Sequence, residues 1–247
     1  TLTKLTLMPE DADKRVLVPT YNIGQRWRTE LRFDDSDWMI VAGGPGGVGY
    51  ERNSGYENLI SLDLETQMYG QNTSCYIRIP FSLEVDDLAG LTELMLRVRY
   101  DDGFVAYLNG IQVARGNFSG TPLVTQRAGS STSDAAAVLF EDIDISDFLG
   151  NLNQGNNVLA IHGLNTSPTS SDMLISVRLD AAATVAAQEF PFVAAMELLD
   201  GLRVTELMYH ASQGSNFDYI ELRNIGDTAL DLTGVRLNDG VDFTFGP

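Results

Sequence analysis

The feature of this sequence that most limits its fold is a period of two in its apolar residues. The clearest run places four of them on one face of a strand: Leu94, Leu96, Val98 and Tyr100. An amphipathic helix needs apolar residues three or four positions apart, so this spacing favours β-strands. Convincing long helical patterns are absent, which points to an all-β chain.

An Asn-Gly dipeptide at 109–110 separates two short apolar runs. Both residues tolerate positive φ, as the tightest hairpin turns require, so the dipeptide predicts a two-residue hairpin. Such a turn pairs Leu108 with Ile111 and Ala106 with Val113, which makes one face of the hairpin apolar.

Several other segments have strand patterns. Cys75, Ile77 and Ile79 share one parity, and residues 158–164 form a nearly continuous apolar run, typical of a central strand buried on both sides. Many short strands with turns between them predict an antiparallel β-sandwich.

The sequence changes character near residue 182. Residues 1–182 are predicted as the first β-sandwich, 183–201 as a linker or bridging segment, and 202–247 as a second β domain. The last segment is short beside the roughly 100 residues of an immunoglobulin-like sandwich, so we expect it to be a partial one.

Charge and composition restrict the partners. The net charge of −18 disfavours nucleic acid and anionic lipid. Apolar stretches of about 18 residues, which would suit membrane insertion, are lacking. Cys75 is the single cysteine, so no internal disulfide forms. The low Lys content and the many Asn, Gly, Ser and Thr residues favour a secreted or cell-surface bacterial protein.

Several motifs in the first segment resemble those of galactose-binding-like jelly-roll modules of large secreted bacterial proteins. They are spread over about residues 20 to 180 at 33–38, 47–50, 75–81, 100–110, 155–162 and 170–172. The resemblance implies a jelly-roll topology, carbohydrate binding by the module, and a structural calcium ion beside an acidic loop.

The second segment resembles the beginning of a bacterial lamin-tail-type domain, which is an immunoglobulin-like sandwich. The motifs that carry the resemblance lie at 205–209, 219–224 and 231–237. The resemblance implies that both segments belong with other domains of one long extracellular chain.

Candidate catalytic residues are few. His162 lies in an apolar strand and is interpreted as a hydrogen-bonded core residue, and His210 follows a strand end. The adjacent Asp101 and Asp102 are either a glycosidase carboxylate pair or, as the following glycine favours, acidic residues of a turn or bulge. We therefore expect a non-enzymatic chain.

One acidic loop is a candidate calcium site. Asp34, Asp35 and Asp37 lie close together, and calcium takes six to eight oxygen ligands from such loops. The alternative is an Asx turn that leads into Trp38.

A sugar site needs an aromatic platform beside planar polar groups. The candidates lie in loop-like stretches rich in Asn, Gly and Gln: Tyr50, Asn53, Tyr56, Tyr69 and Gln71. The alternative is that these tyrosines seal the edges of the sandwich, whereas Trp27 and Trp38 are expected to anchor the core.

These patterns predict a glycan-binding accessory module whose partner is a polysaccharide or cell-surface glycan. A structural or adhesion spacer without its own ligand is the alternative, and a glycoside hydrolase is a third reading. Fold similarity by itself does not choose among them.

Overall fold

The computed structural model describes residues 2–53, 55–124, 126–184, 198–208, 219–237 and 243–246. Among the described residues, strands make up 46% and helices 14%, which confirms the all-β prediction. Contacts divide the chain into two units, Thr1–Val185 and Ala186–Pro247. Residues 185–197 of the predicted bridging segment, and His210, lie outside the described residues.

The first unit contains twelve strands joined by short helical turns. The strands are β1 Leu2–Met8, β2 Lys14–Leu17, β3 Met39–Val41, β4 Gly47–Glu51, β5 Ile60–Asp63, β6 Ser74–Leu83, β7 Leu91–Asp101, β8 Gly103–Leu108, β9 Ile111–Gly116, β10 Glu141–Asp144, β11 Gly155–Leu164 and β12 Asp172–Thr184. The α-helical turns are α1 Arg26–Thr29, α2 Glu65–Met68, α3 Val85–Leu88 and α4 Asp134–Ala137, and two 3-10 turns span Glu57–Leu59 and Ser146–Asn151.

These strands form two six-stranded sheets. The first has the order β10-β7-β12-β4-β5, with β1 also paired to β12, and the second has the order β3-β2-β6-β11-β8-β9. All pairs are antiparallel except β4 with β5. The predicted antiparallel sandwich is confirmed.

The core lies between the sheets and is built from the alternating residues. Leu96 and Val98 of the first sheet pack in one cluster with Ile77, Ile79 and Leu159 of the second. Strand β11 lies between β6 and β8, and its segment 158–164 is buried, as its continuous apolar run predicts.

The hairpin of β8 and β9 follows the Asn-Gly prediction at its turn. Leu108 pairs with Ile111, but Ala106 pairs with Ala114 rather than with Val113. A β-bulge inserts Val113 as an extra residue and directs it to the core, whereas Ile111 is exposed. The bulge therefore corrects the predicted register.

The outer face of the second sheet is covered rather than solvated. Trp27 and Trp38 are buried, as expected, and pack on Tyr76 and Tyr107 of that face. Arg78 is 2% exposed and holds the covering segment in place through ion pairing and hydrogen bonds. The first sheet thus provides the open face of the sandwich.

The second unit contains two strand pairs within its described residues. Its strands are β13 Leu202–Met208, β14 Tyr219–Asn224, β15 Arg236–Leu237 and β16 Phe243–Thr244. β13 pairs antiparallel with β14, and β15 with β16. Val204, Leu207 and Phe243 are at least half exposed, so these pairs bury little apolar surface on their own.

Within the described residues, none of the helices has the length and hydropathy needed to cross a bilayer.

Candidate metal centre and binding groove

Three separate segments bring carboxylates together at one end of the first sheet. Glu51 ends β4, Asp172 begins β12 and Asp134 begins α4. β4 and β12 are neighbours, and their register places Glu51 opposite Asp172. One oxygen of each of the three side chains lies within 4.8 Å of the others. We call these residues the acidic cluster.

A small apolar cluster fixes the three segments beside one another. It consists of Tyr56, Ala137 and Leu174, each at most 1% exposed. Tyr56 belongs to the loop after β4, Ala137 to α4 and Leu174 to β12. Packing therefore positions the acidic cluster although its members are distant in the sequence.

Two buried oxygens at this end of the sheet have no hydrogen-bond partner among the described residues, Glu51 Oε2 and Asp101 Oδ1. The other oxygen of each carboxylate is bound: Glu51 Oε1 accepts from the Asn53 amide at 2.8 Å, and Asp101 Oδ2 accepts from the Tyr56 hydroxyl at 3.0 Å. A buried polar atom without a partner costs about 1–3 kcal/mol, so Glu51 Oε2 needs a donor or a cation, whereas the carboxyl group of Asp101 can hold a proton and donate to Asp102.

The pKa values of the carboxyl groups in this region reflect their burial and their closeness to one another. Burial, followed by the charges of nearby carboxylates, raises the pKa of Glu51 and of Asp172 above their ordinary values. Burial, the hydrogen bond and charge of Asp102, and the charge of Asp172 raise the pKa of Asp101 to about 9. Asp101 therefore holds a proton near neutral pH, whereas the carboxylates of Glu51 and Asp172 lie close together with their ionised forms disfavoured.

The donor set fits a hard divalent cation. Calcium prefers carboxylate and carbonyl oxygens and accepts irregular coordination, whereas zinc sites usually contain His or Cys. The acidic cluster supplies three carboxylates from three segments, and waters or other oxygens would supply the remaining ligands.

The acidic loop predicted as the calcium site does not bring its three carboxylates together among the described residues. Asp34 Oδ1 accepts from the amide and hydroxyl of Ser36, which is the Asx turn of the alternative prediction. Asp35 pairs with Arg78 at 2.7 Å. Asp37 is exposed, and the three carboxylates form no group among the described residues. The oxygens of Asp34 and Asp35 are engaged within the chain, so the geometry favours the acidic cluster over this loop.

The predicted sugar platform is also corrected for two tyrosines. Tyr50 is 1% exposed and Tyr56 is 0% exposed, so neither ring can stack on a ligand. The Tyr50 hydroxyl donates to the Ser170 carbonyl at 3.0 Å and accepts from Asn165. Both tyrosines seal loop ends because their hydroxyls find partners inside the fold.

The other predicted sugar-binding residues lie in the loops near α2. Tyr69 is partly buried, and the Arg52 guanidinium lies 3.8 Å from the centre of its ring. Gln71 and Asn53 are exposed, and the Gln71 amide donates to the Thr66 carbonyl. No open aromatic face is formed by this predicted set.

The candidate catalytic residues are buried. His162 Nε2 lies 3.0 Å from the Ser74 hydroxyl, and burial lowers the pKa of His162 to about 3. Asp102 accepts from Thr132 and Thr166, and both Asp101 and Asp102 are at most 2% exposed. The Asp pair therefore anchors loops that are distant in the sequence, rather than capping a local turn as the sequence predicts. Burial likewise raises the pKa of the Cys75 thiol to about 12.

A groove with a volume of about 350 Å³ crosses the solvent face of the first sheet over β1, β12 and β7. The register arranges its side chains in rows: Lys4, Ala182 and Glu93; Thr6, Asp180 and Met95; Arg178 and Arg97. Ala182 is small and lies between two long side chains, which creates the depression.

Asp180 is the centre of the groove's polar contacts. Its Oδ1 accepts from Arg178 Nε at 2.7 Å and from the Thr6 hydroxyl at 3.0 Å, while its Oδ2 lies 3.2 Å from Arg97 Nε. Burial opposes ionisation of Asp180, but the hydrogen bonds from Arg178 and Thr6 outweigh it and lower its pKa.

Sequence reasoning missed the acidic cluster and the groove. Asp172 does belong to one motif of the family resemblance, and Glu51 follows another. Asp134 lies in a Ser- and Ala-rich stretch of the sequence that has no motif typical of a metal site. The groove residues belong to ordinary alternating strands, where their outward parity is the one available clue.

Comparison with known proteins returns structural neighbours only, since no protein-family profile and no curated protein matches the sequence. Bacteroides uniformis beta-glucuronidase is 17% identical and overlaps 84% of this chain and 21% of its own, with a TM-score of 0.44. A calcium-binding mutant of Bacteroides uniformis beta-glucuronidase 2 is 17% identical over 73% of this chain and 18% of its own, with a TM-score of 0.43. An uncultured Clostridium beta-glucuronidase is 11% identical over 92% and 40%, with a TM-score of 0.41. The chain thus spans about a fifth of the first two proteins and two fifths of the third.

Proposed function

We propose that this chain is a non-catalytic, glycan-binding accessory module of a longer extracellular bacterial protein. The observation that carries the proposal is the polar groove on the open face of the first sheet. Its arginine and aspartate side chains lie side by side, with Arg178 hydrogen-bonded to Asp180, and such groups bind sugar hydroxyls as donors and acceptors at once.

The burial of the candidate catalytic groups supports a non-catalytic role. A glycosidase needs two carboxyl groups that face a substrate across an open cleft. Asp101 and Asp102 are enclosed, and their oxygens contact loops of the same unit.

A calcium ion bound by Glu51, Asp134 and Asp172 is the second part of the proposal. The unpartnered Glu51 Oε2 and the raised pKa of Asp172 support it. The ion would join three loops at one end of the sandwich, so its role is structural.

The two units correspond in this proposal to a galactose-binding-like jelly-roll module and to the first part of a lamin-tail-type domain. The antiparallel pairing of β13 with β14 agrees with the second assignment, because it joins two of the motifs that carry that resemblance. Other domains of the same parent chain are then the natural neighbours of the second unit.

The alternative function is a structural or adhesion spacer without its own ligand. The burial of Tyr50 and Tyr56 favours it, because an open sugar platform would have exposed them. The groove outweighs that observation, since it offers a different polar surface for a ligand.

A polysaccharide pull-down and a glycan array, each with and without calcium, test the proposal. The variant Ala182→Leu fills the centre of the groove and should lose any glycan that the natural chain retains. A folded natural chain that binds nothing across a broad array would favour the spacer instead.

A further inference from the structure

We infer that the groove on the first sheet selects an acidic sugar, a hexuronate whose carboxylate binds between Arg97 and Arg178. The inference rests on the proposed glycan-binding function and specifies its ligand. Its basis is a surplus of hydrogen-bond donors in the groove.

Arg97 is the first source of that surplus. Its guanidinium lies 3.2 Å from Asp142 and 3.2 Å from Asp180, but neither contact has the alignment of a hydrogen bond. The side chain is partly buried, 32% exposed, so its N–H groups are shielded from much of the solvent. A planar acceptor that lies in line with the guanidinium would satisfy donors that the described chain leaves unused.

Arg178 is the second source. Its Nε donates to Asp180, whereas its two terminal nitrogens make no hydrogen bond with described residues. Lys4 adds an exposed ammonium at the rim of the groove. Three cations and three carboxylates therefore meet at the groove, since Asp142 contacts Arg97 beside the lining residues Asp180 and Glu93, so the local charge is near zero in a chain whose overall charge is −18.

The pairing of β7 with β12 places the unused donors of the two arginines next to each other. Arg97 and Arg178 are directly opposite each other, an arrangement in which like charges repel. Asp180 is shared between them, with one oxygen toward each. Asp180 contacts the Nε of both arginines, and Asp142 contacts a terminal nitrogen of Arg97. The terminal nitrogens of Arg178 therefore remain for a ligand carboxylate, which is a matching bidentate partner.

The rest of the groove suits the remainder of a sugar. Met95 and Ala182 offer apolar surface to ring C–H bonds, and Glu93 accepts from hydroxyl groups. The volume of about 350 Å³ is at the lower end of the range for small-molecule sites, which limits the ligand to a short unit. An acceptor-only carboxylate with neighbouring hydroxyls is the chemistry of a hexuronate.

Isothermal titration with short oligogalacturonate, compared with a neutral galacto-oligosaccharide and a sulfated galactan oligosaccharide, tests the inference. All titrations are run without added free calcium, because uronates bind calcium themselves. We expect the oligogalacturonate to bind at least about tenfold more tightly than the neutral sugar, since hydrogen bonds to charged groups are the stronger ones.

Arg97→Gln and Arg178→Gln should each weaken oligogalacturonate binding by about tenfold to a hundredfold. Arg127→Gln, an exposed arginine outside the groove lining, is the matched control and should bind as the natural chain does. Melting temperatures of the three variants establish that each one is folded.

The outcomes separate this inference from the proposed function. Equal binding of neutral and acidic sugars, unaffected by either glutamine variant, overturns the hexuronate assignment but leaves glycan binding intact. Equal binding of the sulfated and carboxylated sugars overturns the choice of carboxylate. Silence toward all three, together with an unresponsive glycan array, overturns the proposed function as well.

Discussion

At the Asp172 end of β12, carboxylate oxygens exceed the donors around them, whereas at the Asp180 end guanidinium N–H groups exceed the acceptors. Eight residues separate the two positions, which is about 26 Å along an extended strand. One strand therefore carries opposite hydrogen-bonding deficits at its two ends.

This contrast shows that the side chains around a site predict which ions it attracts better than the net charge of the chain does. A charge of −18 predicts attraction of cations and repulsion of anions for the chain as a whole. The acidic cluster agrees with that expectation, but the groove does not, because the pairing of strands gathers three cationic side chains there.

The largest effect on the free energy of unfolding is expected from replacing an arginine whose hydrogen-bond donors are used within the fold. Arg78 is buried and binds Asp35 and the carbonyls of Trp27 and Glu30. Arg78→Met should reduce the free energy of unfolding by about 3–5 kcal/mol, because it leaves buried groups without partners. Arg97→Met should cost no more than about 1 kcal/mol. Denaturant titration measures both, and equal losses would mean that the donors of Arg97 are not spare.

Calcium should give the next largest effect. At about 100 times its dissociation constant the ion adds about 2.7 kcal/mol to stability. For a unit of this size, that corresponds to about 5–10 °C in melting temperature. Calorimetry with calcium or with chelator measures the shift.

Matched variants locate that calcium. The double variant Glu51→Gln, Asp172→Asn should abolish the shift, and Asp37→Asn, in the loop that the sequence favours, should retain it. If Asp37→Asn abolished the shift and the double variant retained it, calcium would bind the sequence-predicted loop, and the Asp172 end of β12 would not be a calcium site.

A smaller effect on stability is expected from protonation of His162. It sets the lowest pH at which the Asp172 and Asp180 ends of β12 can be compared in a folded chain. Its pKa is about 3 in the folded chain and near 6.5 when unfolded, so the unfolded state binds the proton first as pH falls. Stability should decrease below about pH 6.5, by about 1 kcal/mol at about pH 5.5 from this residue alone. The difference in unfolding free energy between the natural chain and His162→Gln should shrink on acidification, and a constant difference would contradict the assignment.

The smallest effect expected is the coupling between the two ends. Sites separated by more than about 10 Å add within about 0.5 kcal/mol. Calcium should therefore stabilise the double variant Arg97→Gln, Arg178→Gln as much as the natural chain. A double-mutant cycle with Glu51→Gln measures the coupling, and a larger value would show that β12 transmits a change between its ends.

Much of the fold is predictable because alternation is a local property. The parity of Leu94, Leu96 and Val98, and the turn at Asn109-Gly110, are readable in the sequence and confirmed by the structure. The bulge at Val113 is not readable, because an extra residue leaves the apolar pattern nearly intact.

The candidate sites are less predictable because they depend on register and on distant packing. Glu51 and Asp172 meet through the pairing of β4 with β12, and nothing in a sequence with 34 acidic residues ranks them above the others. Tyr50 and Tyr56 resembled ligand-binding tyrosines because their burial depends on loops far away in the sequence.

The segment held by Arg78 closes one face of the sandwich, and this has a consequence for how the module meets a surface. With Trp27 and Trp38 covering the second sheet, the proposed binding groove lies on the opposite side of the unit, on the first sheet. A tethered module with one usable side gains avidity only when its attachment lets that side face the polymer. Under the proposed function, the way in which the module is attached would then control how many copies bind at once.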